Sequence, residues 1–354
     1  MTKLKEHKPS KMEALKAMTP GDRKRAIIDG IMNNAMFIII GLVIIYVTIK
    51  EPTFLSIPSI INIINLTAAK LPIALGVGGC IILAGTDISA GRQVGLAACI
   101  SAGLQLTTNK LFPGLQVMPI PVVLLCVLAA CALVGFVNGF FMAKFKLHPF
   151  IVTLSTQLIV YGLVLLFMQL GTNGGQTLSG MSQTYRDFII KPLFSIQGVS
   201  VPRYVLYSAI ITFIVWVIWN KTAFGKNMFA VGSNADAAKV SGVNVFWTTV
   251  LVHTLAGAMY GVTGFIEGAR ISSITQSAGL NYECDAIAAC VIGGVSFVGG
   301  TGKISGIVLG VFVLRIIFVA LSMLGIDPSM QYIIKGGIIL AACSLDMRKY
   351  LAKK

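Results

Sequence analysis

The stretch MPIPVVLLCVLAACALVGFVNGFFMA, Met118 to Ala143, contains no charged side chain. A helix needs roughly 20 predominantly apolar residues to cross a bilayer, so this stretch can cross with some tilt. It is not alone. Comparable runs lie at about 34–50, 60–84, 91–108, 150–170, 203–219, 246–267, 283–299, 303–324 and 329–346, giving ten helices with the first. The shorter runs fall below spanning length, which predicts broken or re-entrant segments among them.

Composition agrees. The chain has 354 residues, 56% hydrophobic and 12% charged, where a soluble domain is about a quarter charged. One core cannot absorb so much apolar surface, and the surplus must face lipid. The fold class is therefore all-α, a polytopic transmembrane helix bundle. The 37 glycines suit helices that approach closely in lipid. They repeat every four residues at Gly302, Gly306 and Gly310, with overlapping pairs at Gly257/Gly261 and Gly264/Gly268, and read as packing seams.

The net charge of +15 would suggest nucleic acid in a soluble protein, but in a membrane protein it sets orientation. Residues 1–33 form a polar tail with eight Lys or Arg in the first thirty, and Thr19-Pro20 could open an interfacial helix. No apolar core with a small-residue cleavage site lies there, so no cleavable signal peptide is expected. With the tail inside and ten crossings, both termini are cytoplasmic. The inner segments then hold nineteen Lys or Arg, Arg92 and Lys303 among them, and the outer ones six, as the positive-inside rule requires. The domain plan is a tail (1–33), a transmembrane domain (34–348) and a basic end (349–354), with a polar outer loop at 171–202.

Residues 231–245, VGSNADAAKVSGVNV, interrupt two apolar runs on the inner face. Ser233 or Asn234 can cap a helix, Ala235, Ala237 and Ala238 favour one, and Gly242 can end it in a left-handed conformation. Roughly two turns result, marginal alone in water. Ala235, Ala238 and Gly242 share a face at helical spacing, with Asp236 and Lys239 at its rim and Ser241 beside them. A second pattern links GTDISAGRQVGLAA with QSAGLNYECDAIAA. Each sets an Asp beside small residues at a helix junction, and the two lie on opposite faces, as in an inverted repeat.

Little here supports catalysis. GxxxxGK[ST] is absent, since Lys226 precedes Asn227 and Lys303 precedes Ile304. There is no GxSxG elbow and no GxGD aspartyl protease pattern. The seven cysteines lie in apolar surroundings without CxxC spacing and read as small buried hydrophobes, not metal ligands. His253 is expected to bond between helices. Ionisable residues at membrane depth are costly and become translocation-path candidates by default: Asp87, Arg92, Glu267, Asp285 and Arg315, with Lys70 and Lys335 beside them. The bland alternative is snorkelling or pairing, and Arg315, deepest in VFVLRIIFV, is expected to pair within the bundle.

What remains is transport with energy supplied from elsewhere. NKTAFGKNMFAVGSNADAAKVSGVNV resembles the cytoplasmic coupling loop of permease subunits in bacterial ABC importers of the ribose/galactose/xylose branch. DAIAACVIGGVSFVGGTGKISGIVLG resembles that family's second signature. The similarity covers about 35–348. Within the branch, Thr86, Ala90, Arg92 and Gln93 are most similar to members that carry galactose and methyl-galactoside. The resemblance implies two copies of the chain in the cytoplasmic membrane, a separate ABC ATPase that uses the ATP, and a periplasmic or lipid-anchored sugar-binding protein. It implies no cofactor or metal on this chain. Residues 220–245 would be the coupling loop, with Ser233, Asn234, Ala235, Asp236, Ala237, Ala238, Lys239, Ser241 and Gly242 receiving the ATPase. Ribose, xylose, glucose and nucleosides are the alternative cargoes, and an ion-coupled secondary transporter or a passive channel the alternative classes.

Overall fold

The computed structural model describes residues 35–112, 114–171 and 173–351; the tail 1–33 with its interfacial helix, and the last three residues, lie outside the described residues. The helices are α1 (Ala35–Lys50), α2 (Ile57–Ile82), α3 (Ala90–Gln105), α4 (Ile120–Phe145), α5 (Pro149–Met168), α6 (Gln183–Ile190), α7 (Arg203–Lys221), α8 (Ala223–Ser233), α9 (Ala235–Val240), α10 (Val245–Ile271), α11 (Tyr282–Ile292), α12 (Ile304–Met323) and α13 (Pro328–Leu351). Among the described residues, six are long and apolar enough to cross a membrane: α2, α4, α5, α7, α10 and α12. The chain is an all-α polytopic bundle.

Each of the ten expected runs contains a helix, but three depart in length. α3 has 16 residues and stops at Gln105, while α13 has 24 and carries Lys335 within it. α11 has only 11, where the sequence suggests a run to 299. Gly293 and Gly294 stop it, the latter at φ +80°, and the strand-free segment 293–303 packs back on α2, where the Gly300 amide donates to the Ile82 carbonyl at 2.8 Å.

α2 and α10 form the buried centre. α10 packs most extensively on α4, then on α3 and α2. α4, α5 and α7 instead turn Leu125, Leu158, Leu166 and Phe213 outward, where lipid would cover them. Hydropathy alone cannot separate these classes, because a helix apolar all round fits either place.

The glycine seams are close backbone contacts. A methyl group on Gly306 would overlap the Gly293 carbonyl, and one on Gly257 the Cys131 carbonyl. Gly302 lies outside its seam: a methyl group there would meet the Ile82 side chain at 3.0 Å instead of a helix backbone.

Residues 171–202 are more than a solvated connection. Ser182 caps α6, whose Tyr185 hydroxyl donates to the Phe265 carbonyl at 2.5 Å. β1 (Leu178–Ser179) pairs with β4 (Ser273–Ile274), and β2 (Pro192–Ile196) turns through Gln197-Gly198 into β3 (Val199–Pro202). These pieces close the end of the bundle opposite α9.

The pattern suggesting an inverted repeat corresponds to a physical junction. After α2 the chain leaves helix at Leu83 and re-enters it only at Ala90; after β4 it stays irregular until Tyr282. The second irregular stretch meets the start of α3, where Gly91 and Gly95 pack on the backbone of Ala278 and Gly279. From there α3 runs toward Ser182, and α11 toward the loop beside α8. Two shortened helices thus start side by side and run in opposite directions.

Candidate translocation and coupling sites

Asp87 lies in the irregular stretch before α3 and is fully buried. Its Oδ1 accepts the Ser89 amide at 2.9 Å and the Ser89 hydroxyl at 2.5 Å. The same hydroxyl accepts Gln93 Nε2 at 2.9 Å and Asn138 Nδ2 at 3.1 Å, so its one donor and both acceptor sites are used. The cluster pins the broken segment to α3 and α4. In this conformation Asp87 is enclosed, off any open path.

Arg92 is half-buried in the first turn of α3, its guanidinium 4.2 Å from the centre of the Tyr161 ring and donating to the Gln276 carbonyl at 3.4 Å. That places it at the junction with the 275–281 stretch and not in an end loop, so it leaves the inner-loop charge count.

The remaining intramembrane charges form two groups. Glu267 on α10 forms ion pairs with Lys70 on α2 at 3.0 Å and with Arg270 at 2.8 Å. Asp285 on α11 accepts a hydrogen bond from Arg315 of α12 at 2.7 Å and forms an ion pair with Lys335 of α13 at 2.6 Å. Tyr282 bridges the groups, its ring centre 2.8 Å from Lys70 Nζ. Arg315 therefore pairs within the bundle, as its depth predicts. Two carboxylates and four cations tie α2, α10, α11, α12 and α13 together in a setting where each isolated charge would be costly.

His253 departs from expectation: its Nδ1 lies 2.9 Å from the Thr249 carbonyl of its own helix. The cysteines do so in part. Cys80, Cys99, Cys131 and Cys290 are buried, but Cys126 is exposed and Cys284 and Cys343 are half-buried, since an apolar sequence neighbourhood also describes a lipid-facing side.

At one end of the bundle, α8 leads through Ser233 into α9. Asn234 caps α9, its Oδ1 accepting the Ala237 amide at 2.9 Å, and Gly242 ends it at φ +85°. Ser233, Asn234, Ala235, Asp236, Ala237, Lys239, Ser241 and Gly242 are exposed. Ala238 is not. At 5% exposure it faces the protein, which corrects the expected shared face of Ala235, Ala238 and Gly242. Helical spacing groups residues on one side without saying which side points outward. The outward apolar residue is Val240, 90% exposed, with Trp247 nearby at 50%. Sequence reading missed Val240 because one valine in a polar loop gives no periodic signal. It also missed the Lys70–Glu267 pair, whose members lie far apart in the chain.

Comparison with known proteins fits this architecture. The chain is 43% identical over 329 residues to the galactose/methyl galactoside import permease protein MglC of Haemophilus influenzae, covering 92% of this chain and 97% of that one. It is 42% identical to the protein of that name from Salmonella typhimurium, covering 94% and 98%. The ribose import permease protein RbsC of Bacillus subtilis is 33% identical, covering 93% and 97%. No solved structure matches the chain. The family described as branched-chain amino acid transport system / permease component matches residues 59–343, nearly the whole described bundle, and the chain belongs to that family of integral membrane permeases.

Proposed function

We propose that this chain is the membrane-spanning subunit of an ATP-driven importer for galactose and methyl-galactoside-type sugars in a bacterial inner membrane. The observation that carries this is the 41–43% identity to three galactose/methyl galactoside permeases over 92–94% of the chain, against 31–33% to ribose permeases of similar coverage.

In this reading the chain is non-catalytic and takes no cofactor. Both termini and α9 face the cytoplasm, supported by the surplus of Lys and Arg on that side. A separate ATPase binds ATP and docks on the exposed side of α9. Two copies of the chain form the path, and a periplasmic or lipid-anchored protein delivers the sugar. The ATPase supplies force at α9, and that force reaches the bundle through α8, whose Gly232 lies against the Ile82 carbonyl at the end of α2. A push there acts on the central helix directly, as switching between outward and inward states requires.

Uptake of radiolabelled galactose into liposomes holding the permease, ATPase and binding protein tests the reading, with galactoside, ribose, xylose, glucose and nucleoside as competitors. Competition by galactose and methyl galactoside alone is expected. Competition by ribose or nucleoside alone would overturn the cargo, and galactose uptake driven by an ion gradient without the ATPase would overturn the class.

A further inference from the structure

At the end of the bundle opposite α9, the turn Pro52–Leu55, the start of α2, the last turns of α12 and the start of α13 line an open cavity of about 580 Å³. Small-molecule sites span roughly 300–1,000 Å³. The residues that matter in its wall are Ser59, Asn62, Arg315, Phe318, Ser322 and Gln331.

The chemistry of the wall narrows the occupant. No acidic side chain lines it, so nothing there would hold a cation. Arg315 is the one charged group, and it is already paired with Asp285 at 2.7 Å, so no unpaired charge lines the wall. Hydrogen-bonding capacity is nevertheless left over. Gln331 uses its Nε2 on the Ile326 carbonyl at 3.0 Å and keeps its acceptor. The Ser59 hydroxyl has only the Met323 sulfur at 4.0 Å, and the Asn62 amide and Ser322 hydroxyl make no hydrogen bond with described residues. Unused donors and acceptors thus share a wall with the apolar ring of Phe318. A lipid tail would leave these polar groups unsatisfied, at a cost comparable to a lost hydrogen bond each. A ligand with many hydroxyls, each able to donate and accept, and with a C–H surface satisfies all of them.

We infer that this cavity binds a neutral monosaccharide, a hexose or hexoside, between its arrival at the permease and its passage through the bundle. The inference rests on the sugar-import reading above and adds where the permease itself holds the sugar. The charge-derived orientation puts the cavity on the outer face, where a delivered sugar would arrive first.

The test uses the full assembly in liposomes, with galactose and methyl galactoside as probes. Asn62→Phe fills the space, and Gln331→Leu removes an acceptor. Each is expected to raise the KM for uptake or lower its maximal rate by about tenfold, while Leu125→Phe on the lipid-facing side of α4 transports as wild type. A smaller change guards against misfolding: the thiol of Ser322→Cys should react with maleimide, measured on its own peptide, and galactoside should slow that reaction where salt of equal osmolality does not. Wild-type liposomes that carry no galactoside overturn the functional reading. Wild-type liposomes that carry it, with unchanged kinetics in both cavity variants and no protection of Ser322→Cys, overturn this assignment alone.

Discussion

The proposed docking of the ATPase makes its sharpest demand on Val240. Its side chain is 90% exposed at the end of α9, so in the isolated permease it contributes nothing to the fold that a polar residue would remove. If a partner covers it, burial stabilises the complex by about 1.5–3 kcal/mol, the usual value for one valine-sized side chain. Val240→Asp loses that term and adds a carboxylate to be desolvated, so association should weaken by at least about tenfold, since 1.4 kcal/mol is one decade. Val240→Ala, which gives up two methyl groups at about 0.8 kcal/mol each, should fall near the same decade without the charge penalty. The assay is titration of the ATPase onto the permease in nanodiscs, beside a thermal unfolding curve of the permease alone. Affinity should fall and the unfolding curve should not move. Ala238→Arg is expected to behave oppositely: at 5% exposure, Ala238 leaves no room for a guanidinium, and the folded permease itself should be lost. Val240→Asp binding the ATPase within about twofold of wild type would refute the reasoning, because a partner covering α9 cannot ignore a buried charge.

Asp285→Ala strands Arg315 and Lys335, whose side chains are only 12% and 17% exposed, and should cost about 3–5 kcal/mol in detergent unfolding; Lys335→Met should cost much less, because Arg315 still satisfies the carboxylate. Gly306→Leu should abolish folded permease by wedging α12 from Gly293, whereas Gly162→Leu, with nothing within 4 Å of the added carbon, should express as wild type in membrane blots. Ser233→Cys should react with an impermeant maleimide only from the cytoplasmic side and Gly198→Cys only from outside; the reverse pattern would invert the proposed topology.

The sequence showed the membrane class, the position and cap of α9 and the places where charges are buried, because each is a local or compositional signal. Asn234, the alanines and Gly242 specify a short capped helix whatever surrounds them. The side of α9 that faces out was not legible, since that depends on where α8 and α10 hold it. Nor was the structure inside 171–202. Ser182, Tyr185 and Ile189 mark a helix start and a buried face only once β1 is known to pair with β4 across some 95 residues of chain.

The buried charges show the same division most clearly. Taken singly, Lys70, Asp87, Glu267, Asp285, Arg315 and Lys335 look like six points on a substrate path, because hydrocarbon tolerates a charge poorly and function is the usual reason to keep one. Brought together, five of them spend their charge on one another and Asp87 holds Ser89 through its Oδ1, so their arrangement fixes helix positions before it does anything to cargo. That carries a consequence for transport. α13 reaches the bundle chiefly through α11, and α11 begins at the junction where Gly279 meets Gly91. Ion pairs between neighbouring helices hold a discrete relative position, because sliding either partner by a turn would leave a carboxylate buried without its cation. The Asp285 pairs therefore oppose sliding of α11, α12 and α13 past one another.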